Sequence, residues 1–275
     1  MTRVEELKDF LRSRSGGGIA LAFSGGVDST FLLSVLKELH EESPFPLLAF
    51  TMHSIFQGEA ELEEVKTVAG EFGVELKIFT CDPLAIPEVK YNPPERCYWC
   101  KRYIFNEFQT FAKERNLATL LDGTNADDLF VYRPGRKALG ELGVVSPLAE
   151  LGFTKEEIRT LSKARNLRCS SKPSMPCLAT RFEYGALLTP DRIEQVGKGE
   201  EMIRKYALST SDVRLRVHAN IARLEVSQEA IPSILEHRKE IAGGLRCLGF
   251  EFITLDLEGF RSGCFDKANN TTMEM

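Results

Sequence analysis

Between Ile19 and Leu39 a short apolar run gives way to a glycine-rich break and then to a helical apolar pattern. Ile19-Ala20-Leu21-Ala22-Phe23 is too short for a helix and reads as a buried strand. After the break, Phe31, Leu32, Val35, Leu36 and Leu39 recur at helical spacing. Strand, glycine turn, helix is a phosphate cradle. Glycine lets the backbone turn tightly and approach a ligand. The helix start presents N–H groups and the positive end of its dipole to an anion. Ser24, Gly25, Gly26, Val27, Asp28, Ser29 and Thr30 are therefore candidate nucleotide contacts, the hydroxyls adding donors to phosphate oxygens. Asp28 would repel a bare phosphate, so it points to a bound Mg2+ or to an ordering role in the turn. The stretch is neither GxxxxGK[ST], whose lysine it lacks, nor GxGxxG.

The chain continues as alternating strands and helices. Leu47–Met52 and Val74–Phe79 read as strands, Glu59–Phe72 and Tyr103–Asn116 as helices, Ala118–Leu121 as a fourth strand, and Val144–Val145 as the start of a fifth. This order predicts an α/β domain with a parallel sheet covered on both faces. Ligands of such sheets sit outside the C-terminal strand ends. There the sequence places Ser24–Thr30, then Met52-His53-Ser54, then Asp122-Gly123-Thr124-Asn125-Ala126-Asp127-Asp128. Met52, Thr124 and Asp128 join the candidate nucleotide contacts. The paired carboxylates suit Mg2+ and ribose or phosphate, although loops of this composition also form Asx turns. Arg133 and Arg136 could grip a phosphate or carboxylate bidentately, or be solvated on a loop.

Near residue 185 the pattern changes. Thr154-Lys155-Glu156-Glu157 is a capping box for a helix through Arg165. After the proline-rich stretch Lys172–Arg181, a helix starts at Pro190. Val213–Val217 and Ala222–Val226 read as paired strands around Ala219-Asn220, followed by a helix Glu229–Ala242 and a strand Phe250–Leu257. The expected division is a parallel-sheet domain over residues 1–185 and a smaller C-terminal α+β domain over 186–275, for substrate binding or oligomerisation. Alternation puts Arg214, Arg216 and His218 on one sheet face, where they could bind an anion or simply meet solvent.

Composition removes several function classes. The 275 residues carry a net charge of −5, against a generally basic nucleic-acid surface. No apolar run reaches a membrane span, and MTRVEELKDFLRSR is a charged amphipathic helix, not a signal peptide. A cytoplasmic location is expected. Seven cysteines there are not a disulfide framework. Cys97 and Cys100 form a CxxC within RCYWCK, and Cys177 lies in MPCLATR beside the cations Lys172 and Arg181, which favour a thiolate. A CxxC can be a redox dithiol, half a zinc site or part of an iron–sulfur site. The four histidines are scattered, against zinc. Three cysteines could hold a 4Fe-4S cluster with one iron left open. Cys81, Cys169, Cys247 and Cys264 read as structural. Trp99 could stack on a ring or pack in the core.

With these residues assembled, the loop resembles that of the N-type ATP pyrophosphatases, and the whole chain is similar to the LarE family. AFSGGVDS, RCYWCK, DGTNADD, YRPGR (Tyr132–Arg136), VVSPLAEL, PCLATRF and RLRVHANIARLEV carry the resemblance. LarE proteins are ATP-dependent sulfur transferases of nickel-pincer nucleotide biosynthesis. The resemblance implies a PP-loop ATP pyrophosphatase (adenine nucleotide alpha hydrolase-like) domain. It implies adenylylation of a pyridine mononucleotide carboxylate and replacement of the activated oxygen by sulfur, with AMP and pyrophosphate as products. It puts the reactive cysteine on Cys177, with Cys97 and Cys100 completing a 4Fe-4S set, so that sulfide comes from the cluster or from Cys177 itself. ATP and Mg2+ near Asp28 are the other cofactors implied. Arg133, Arg181, Arg214 and Arg216 are expected to bind nucleotide or substrate, and Glu194, Glu201 and Glu225 to contact a metal or substrate. A homo-oligomer with a small-molecule nucleotide substrate, and with neither nucleic acid nor membrane as partner, is expected. Thiolation of tRNA is the alternative, because some tRNA-modifying enzymes share this loop and cysteine pattern; the acidic balance weighs against it. A nucleotide-binding module without catalysis is a third class, against which the Cys177 loop argues.

Overall fold

The computed structural model describes residues 2–130, 133–171, 177–207 and 212–261. Tyr132, Lys172, Met175, Pro176 and Cys264 lie outside them. By its internal contacts the chain falls into two units. The first is Met1–Ser54, Gly58–Ile86 and Pro94–Lys172; the second is Ile55–Gln57, Pro87–Pro93 and Pro173–Met275. The sequence reading, which divides the chain at 185/186, assigns both short excursions to the first domain. Their hydrogen bonds show why they belong to the second: Leu178 N donates to Phe56 O at 2.9 Å. Asn92 Nδ2 donates to the Phe182 and Glu183 carbonyls at 3.0 and 2.8 Å, and Leu188 N donates to Lys90 O at 2.9 Å. Such long-range pairing has no local signature.

In the first unit, α1 (Arg3–Arg12), β1 (Ile19–Ala22), α2 (Val27–Glu42), β2 (Leu47–His53), α3 (Glu59–Glu71) and β3 (Glu75–Thr80) follow in order. Then come α4 (Arg96–Glu114), β4 (Thr119–Leu121), α5 (Gly135–Glu141), α6 (Pro147–Glu150) and α7 (Lys155–Ala164). The four strands form a parallel sheet in the order β3-β2-β1-β4. Strand alternation splits the core in two. Ile19, Leu21, Ala49 and Leu121 face one cluster with Leu7, Phe31, Leu32, Val68 and Ile158. Ala20, Phe50, Met52 and Leu120 face the other with Phe105, Phe108 and Leu139. The expected α/β domain with helices on both faces is what forms. Val144–Val145 does not become a fifth strand; Val145 makes only an isolated parallel bridge to Leu121.

In the second unit, α8 (Pro190–Arg204), β5 (Val213–His218), β6 (Ile221–Val226), α9 (Ile231–Glu236), α10 (Arg238–Cys247) and β7 (Phe252–Leu255) make a smaller α+β fold. β5 and β6 pair antiparallel through the Ala219-Asn220 turn, and β7 joins β6 in parallel. The single helix expected over Glu229–Ala242 is two helices, broken at His237, which is both the C-cap of α9 and the N-cap of α10. Among the described residues, no helix is long and apolar enough to cross a membrane.

Candidate functional site

The order β3-β2-β1-β4 reverses direction at β1. The loops that leave β1 and β4 therefore diverge, and they flank a crevice at the C-terminal strand ends. Both polar loops of the first unit lie there. Gly25 turns the chain out of β1 at φ +68°, and a Cβ on it would sit 2.9 Å from Val65 Cγ2. Gly26 then caps α2 in an extended conformation, with no side-chain hydrogen bond capping the helix start. The helix start is left to an external anion, as a phosphate cradle requires. The hydroxyls brace the turn: Ser24 Oγ lies 3.1 Å from Ser29 Oγ, which also reaches Gly26 O at 3.2 Å.

Two polar atoms of this loop, Asp28 Oδ1 and Thr30 Oγ1, are buried without a hydrogen bond. Orphaned buried oxygens cost stability and mark where a cation or a phosphate would complete the site. The other oxygen of Asp28 accepts from Lys155 Nζ, at the first residue of α7. Burial pushes the Asp28 carboxyl above its ordinary range, against the pull of Lys155, and the neighbouring charge of Asp128 adds to the rise. Two carboxylates that feel each other's charge, one with an unpartnered oxygen, suit a Mg2+ that takes its remaining ligands from phosphates and water.

The β4 loop is tied down from within. Asp122 is buried, its oxygens taken by the hydroxyls of Thr124 and Ser146. Asn125 and Asp128 exchange hydrogen bonds, Asn125 N to Asp128 Oδ2 at 3.3 Å and Asp128 N to Asn125 Oδ1 at 3.2 Å. Arg133 pairs with Asp128 at 3.0 Å, while Arg136 donates to the carbonyls of Asp128 and Leu129. In this structure both arginines order the acidic loop. A cavity of about 270 Å3 opens beside it, lined by Thr124, Leu129, Arg136, Ser146 and Glu150 among others. Met52 is buried at the end of β2 among Phe50 and Phe79.

The second unit holds a buried charge network. Arg181 and Glu200, each 1% exposed, form a two-point ion pair, and Arg204 and the Leu215 amide also donate to Glu200 at 2.9 Å. Burial alone would raise the Glu200 carboxyl; these donors more than offset it and hold it below the ordinary range. Arg214 is pushed down to about 10 by burial and by the charge of Arg181, and it contacts Asp212 and the Phe260 ring. On the same face, Arg216 pairs with Glu225 at 3.0 Å and donates to Thr180 O at 2.6 Å. His218 meets Glu183. Arg181, Arg204 and Arg214 outnumber Glu200 and Asp212, so the network is locally cationic.

A sequence model of the PP-loop domain matches residues 1–131. Over 262 residues, 95% of this chain and 91% of the other, the sequence is 34% identical to the pyridinium-3,5-bisthiocarboxylic acid mononucleotide synthase of Lactiplantibacillus plantarum. The chain belongs to the LarE family of PP-loop proteins. An uncharacterized Synechocystis protein is 33% identical over 264 residues, 95% of this chain and 96% of its own. An uncharacterized Methanocaldococcus jannaschii protein is 30% identical over 264 residues, 95% and 98% of the two chains. Each of these three alignments covers 95% of this chain.

Of the three candidate cysteines, Cys97 and Cys100 lie in the first turns of α4, because that helix starts at Arg96 and not at Tyr103. Three residues apart on a helix, they share one face. Arg96 Nη2 lies 3.6 Å from Cys97 Sγ, and Trp99 packs edge-on against Tyr98. Cys177 belongs to the second unit, where it leads into the turn Leu178–Arg181; its carbonyl accepts from Thr180 Oγ1 at 2.8 Å. Of the other cysteines, Cys169 is buried in the core, burial pushes the Cys81 thiol up to about 11, and Cys247 is exposed.

The three glutamates expected to contact a metal or substrate lie in different settings. Glu194 is 63% exposed and paired with Lys198, Glu201 faces solvent, and Glu225 is fully buried between Arg216 and Arg223. Among the described residues, no three His, Cys, Asp or Glu side chains gather as a site for a metal ion. Sequence reading missed Glu200 and Lys155. Helical periodicity could have found Glu200, since Ile193, Val196, Glu200 and Ile203 share the buried face of α8 and Glu201 does not.

Proposed function

We propose that this LarE-family chain is an ATP-dependent, AMP-forming sulfur transferase that turns the carboxylate of a nicotinate-derived pyridine mononucleotide into a thiocarboxylate. One observation carries the reading: the relative named for making a bisthiocarboxylic acid pyridinium mononucleotide is 34% identical across 95% of this chain. The orphaned oxygens on a helix start supply the physical support.

In the first step a substrate carboxylate oxygen attacks the α phosphorus of ATP, and the bond to the β-phosphate oxygen breaks. Pyrophosphate leaves with the electron pair. The α2 N–H groups stabilise the charge that builds on the phosphates. Mg2+ at Asp28 Oδ1 and Asp128 would neutralise phosphate charge. In the second step a sulfur nucleophile attacks the acyl carbon and AMP departs. The cationic strand face of Arg214 and Arg216, with Arg181, suits the phosphate of a mononucleotide. For the sulfur we assign Cys97, Cys100 and Cys177 as ligands of a 4Fe-4S cluster, which when bound would supply sulfide. Two thiols on one helical turn fit such a set.

Anaerobic purification with iron and sulfide analysis, and intact mass before and after one turnover, tests the sulfur source. Cluster-derived sulfide leaves Cys177 intact and makes Cys97→Ala lose both iron and sulfur transfer. A sacrificed Cys177 instead loses about 34 Da, the mass of hydrogen sulfide, and leaves Cys97→Ala active for one turnover. Full single-turnover activity in an iron-free Cys97→Ala/Cys100→Ala variant would overturn the cluster assignment.

A further inference from the structure

The nucleotide loop of this chain has a feature at odds with its task. It carries an acid, Asp28, where anionic phosphates must approach, and no lysine of its own between Ser24 and Thr30. The cation comes from elsewhere in the fold. Lys155 lies 127 positions later in the sequence, at the first residue of α7, and its ammonium is paired with Asp28 Oδ2. Its own backbone N–H donates to Asp127 Oδ2 at 2.8 Å, so the start of α7 is tied to the β4 loop as well. Thr154 caps the helix, with its side chain accepting from Glu157 N at 3.2 Å. Behind this cap, Phe153 and Ile158 are buried in the core that α2 shares, and Phe31 stacks near Phe153 at 6.1 Å. Arg165, just past the far end of α7, reaches Glu38 of α2. The lysine is therefore held over the first turn of α2 by packing, a cap and an anchor on each polar loop.

Its placement suits a ligand. The Lys155 side chain is 37% exposed, while the acid its ammonium pairs with is 19% exposed. On the same first turn as Asp28, Thr30 is 2% exposed and its Oγ1 has no partner. Two helix N-termini, of α2 and α7, bring Asp28 and Lys155 together, and both favour an anion.

We infer that Lys155 supplies the nucleotide loop with the ammonium that the loop lacks, neutralising Asp28 and binding the polyphosphate of the incoming nucleotide. The inference rests on the ATP-site reading above. An ammonium on phosphate acts on the phosphates and not on the nucleoside. Its loss should therefore separate two probes: α,β-methylene-ATP, and adenosine, which carries no phosphate.

The test is equilibrium binding of both probes with Mg2+ to the full chain, as parent, Lys155→Met and Lys155→Arg, with thermal melting of each without nucleotide. Lys155→Met is expected to bind α,β-methylene-ATP roughly ten- to a hundredfold more weakly, the range of a charged hydrogen bond. Its adenosine binding should stay within about threefold, inside the scatter of a non-contacting change. Lys155→Arg keeps the charge and should recover most of the loss. Equal weakening of both probes would show a merely structural lysine, and undiminished binding of α,β-methylene-ATP would show no phosphate contact; either overturns the inference. Should Lys155→Met melt far below the parent, the Lys155→Arg comparison decides: failure to recover polyphosphate binding in a variant that melts like the parent also overturns it. A parent that binds neither probe refutes the ATP site itself, and the lysine's role with it.

Discussion

The two glycines of the nucleotide loop should separate under mutation, because they serve different ends. Gly25 sits at φ +68°. Holding an alanine in the left-handed region costs roughly 1–2 kcal/mol. Its Cβ would also lie 2.9 Å from Val65 Cγ2, inside van der Waals contact, and overpacking of this kind costs about 1–3 kcal/mol more. Gly25→Ala should therefore destabilise the first unit by about 2–5 kcal/mol, a fall in melting temperature of about 5–15 °C for a unit of this size. Gly26 is different. Its φ is −76° and its ψ 167°, and a Cβ there would meet only Ser24 Oγ at 3.4 Å. Alanine fits this backbone, and restricting the unfolded chain gains about 0.4–1 kcal/mol. Yet Gly26 is the cap of α2, where phosphate must come close to the backbone. Gly26→Ala should melt at or slightly above the parent temperature and release pyrophosphate more slowly. Melting curves and a coupled pyrophosphate assay on both variants settle the matter. A Gly26→Ala protein as unstable as Gly25→Ala would refute the conformational argument. One that releases pyrophosphate at the parent rate would refute the phosphate-approach argument.

Three further outcomes follow from the same structure. Turnover should yield AMP and pyrophosphate; chromatography showing ADP and orthophosphate would remove the adenylylation step. Glu200→Gln strips the charge that compensates Arg181 and should destabilise the second unit by about 3–5 kcal/mol, lowering its melting temperature by about 10 °C or more. Because the folded Glu200 carboxyl lies below its ordinary value, its contribution is complete above the unfolded pKa, about 4.3. It is lost as pH falls through the folded value, so parent and variant should converge in acid; a gap unchanged down to pH 2 would contradict this. Asp28 has the opposite sign. Burial raises its folded pKa, so the ionised acid costs stability at neutral pH and the cost vanishes below the unfolded value. Asp28→Asn should melt higher than the parent at pH 7, with the advantage gone near pH 3, while pyrophosphate release falls; a variant that melts lower at pH 7 would show that the Lys155 pair outweighs the burial cost.

Much of the first unit was legible because its signals are local. The apolar run, the glycine break and the period of α2 sit within about twenty residues, and each agrees with the others. The nucleotide loop follows from the same stretch. What escaped reading depends on partners distant in sequence. Lys155 looked like the first residue of a capped helix, and its cap is indeed Thr154. Only the packing of α7 on α2 brings its ammonium to Asp28. Alternation placed Arg214 and Arg216 on one strand face, and the register opposes them to Glu225 and Arg223. It could not show that the acids meeting Arg181 and Arg216 would be Glu200 from α8 and Glu225 from the partner strand. A charged run on a strand reads as solvated until its partners are known. Here most of the pairing is buried, so the charges compensate one another.

The CxxC turn was misplaced for a related reason. Arg96–Arg102 has no apolar period, so the periodicity starts the helix at Tyr103, whereas it begins at Arg96. Tertiary contacts, not the local sequence, hold these first two turns. Tyr98 OH donates to Glu141 of α5 at 2.7 Å, and Lys137 lies over the Tyr98 ring at 5.4 Å. At Gly135, the first residue of α5, a Cβ would stand 3.2 Å from the Cys97 carbonyl and 2.7 Å from Lys101 Cδ. No larger residue fits without a shift, so glycine lets α5 close on the turn that carries Cys97 and Cys100. Just ahead of that glycine in the sequence, Arg133 holds Asp128 at the nucleotide loop. The segment Arg133–Arg136 thus ties the acidic loop to the CxxC turn within the first unit. In the proposed two-step reaction the activating loop and the CxxC turn must be held in register, and this short segment links the two within the first unit.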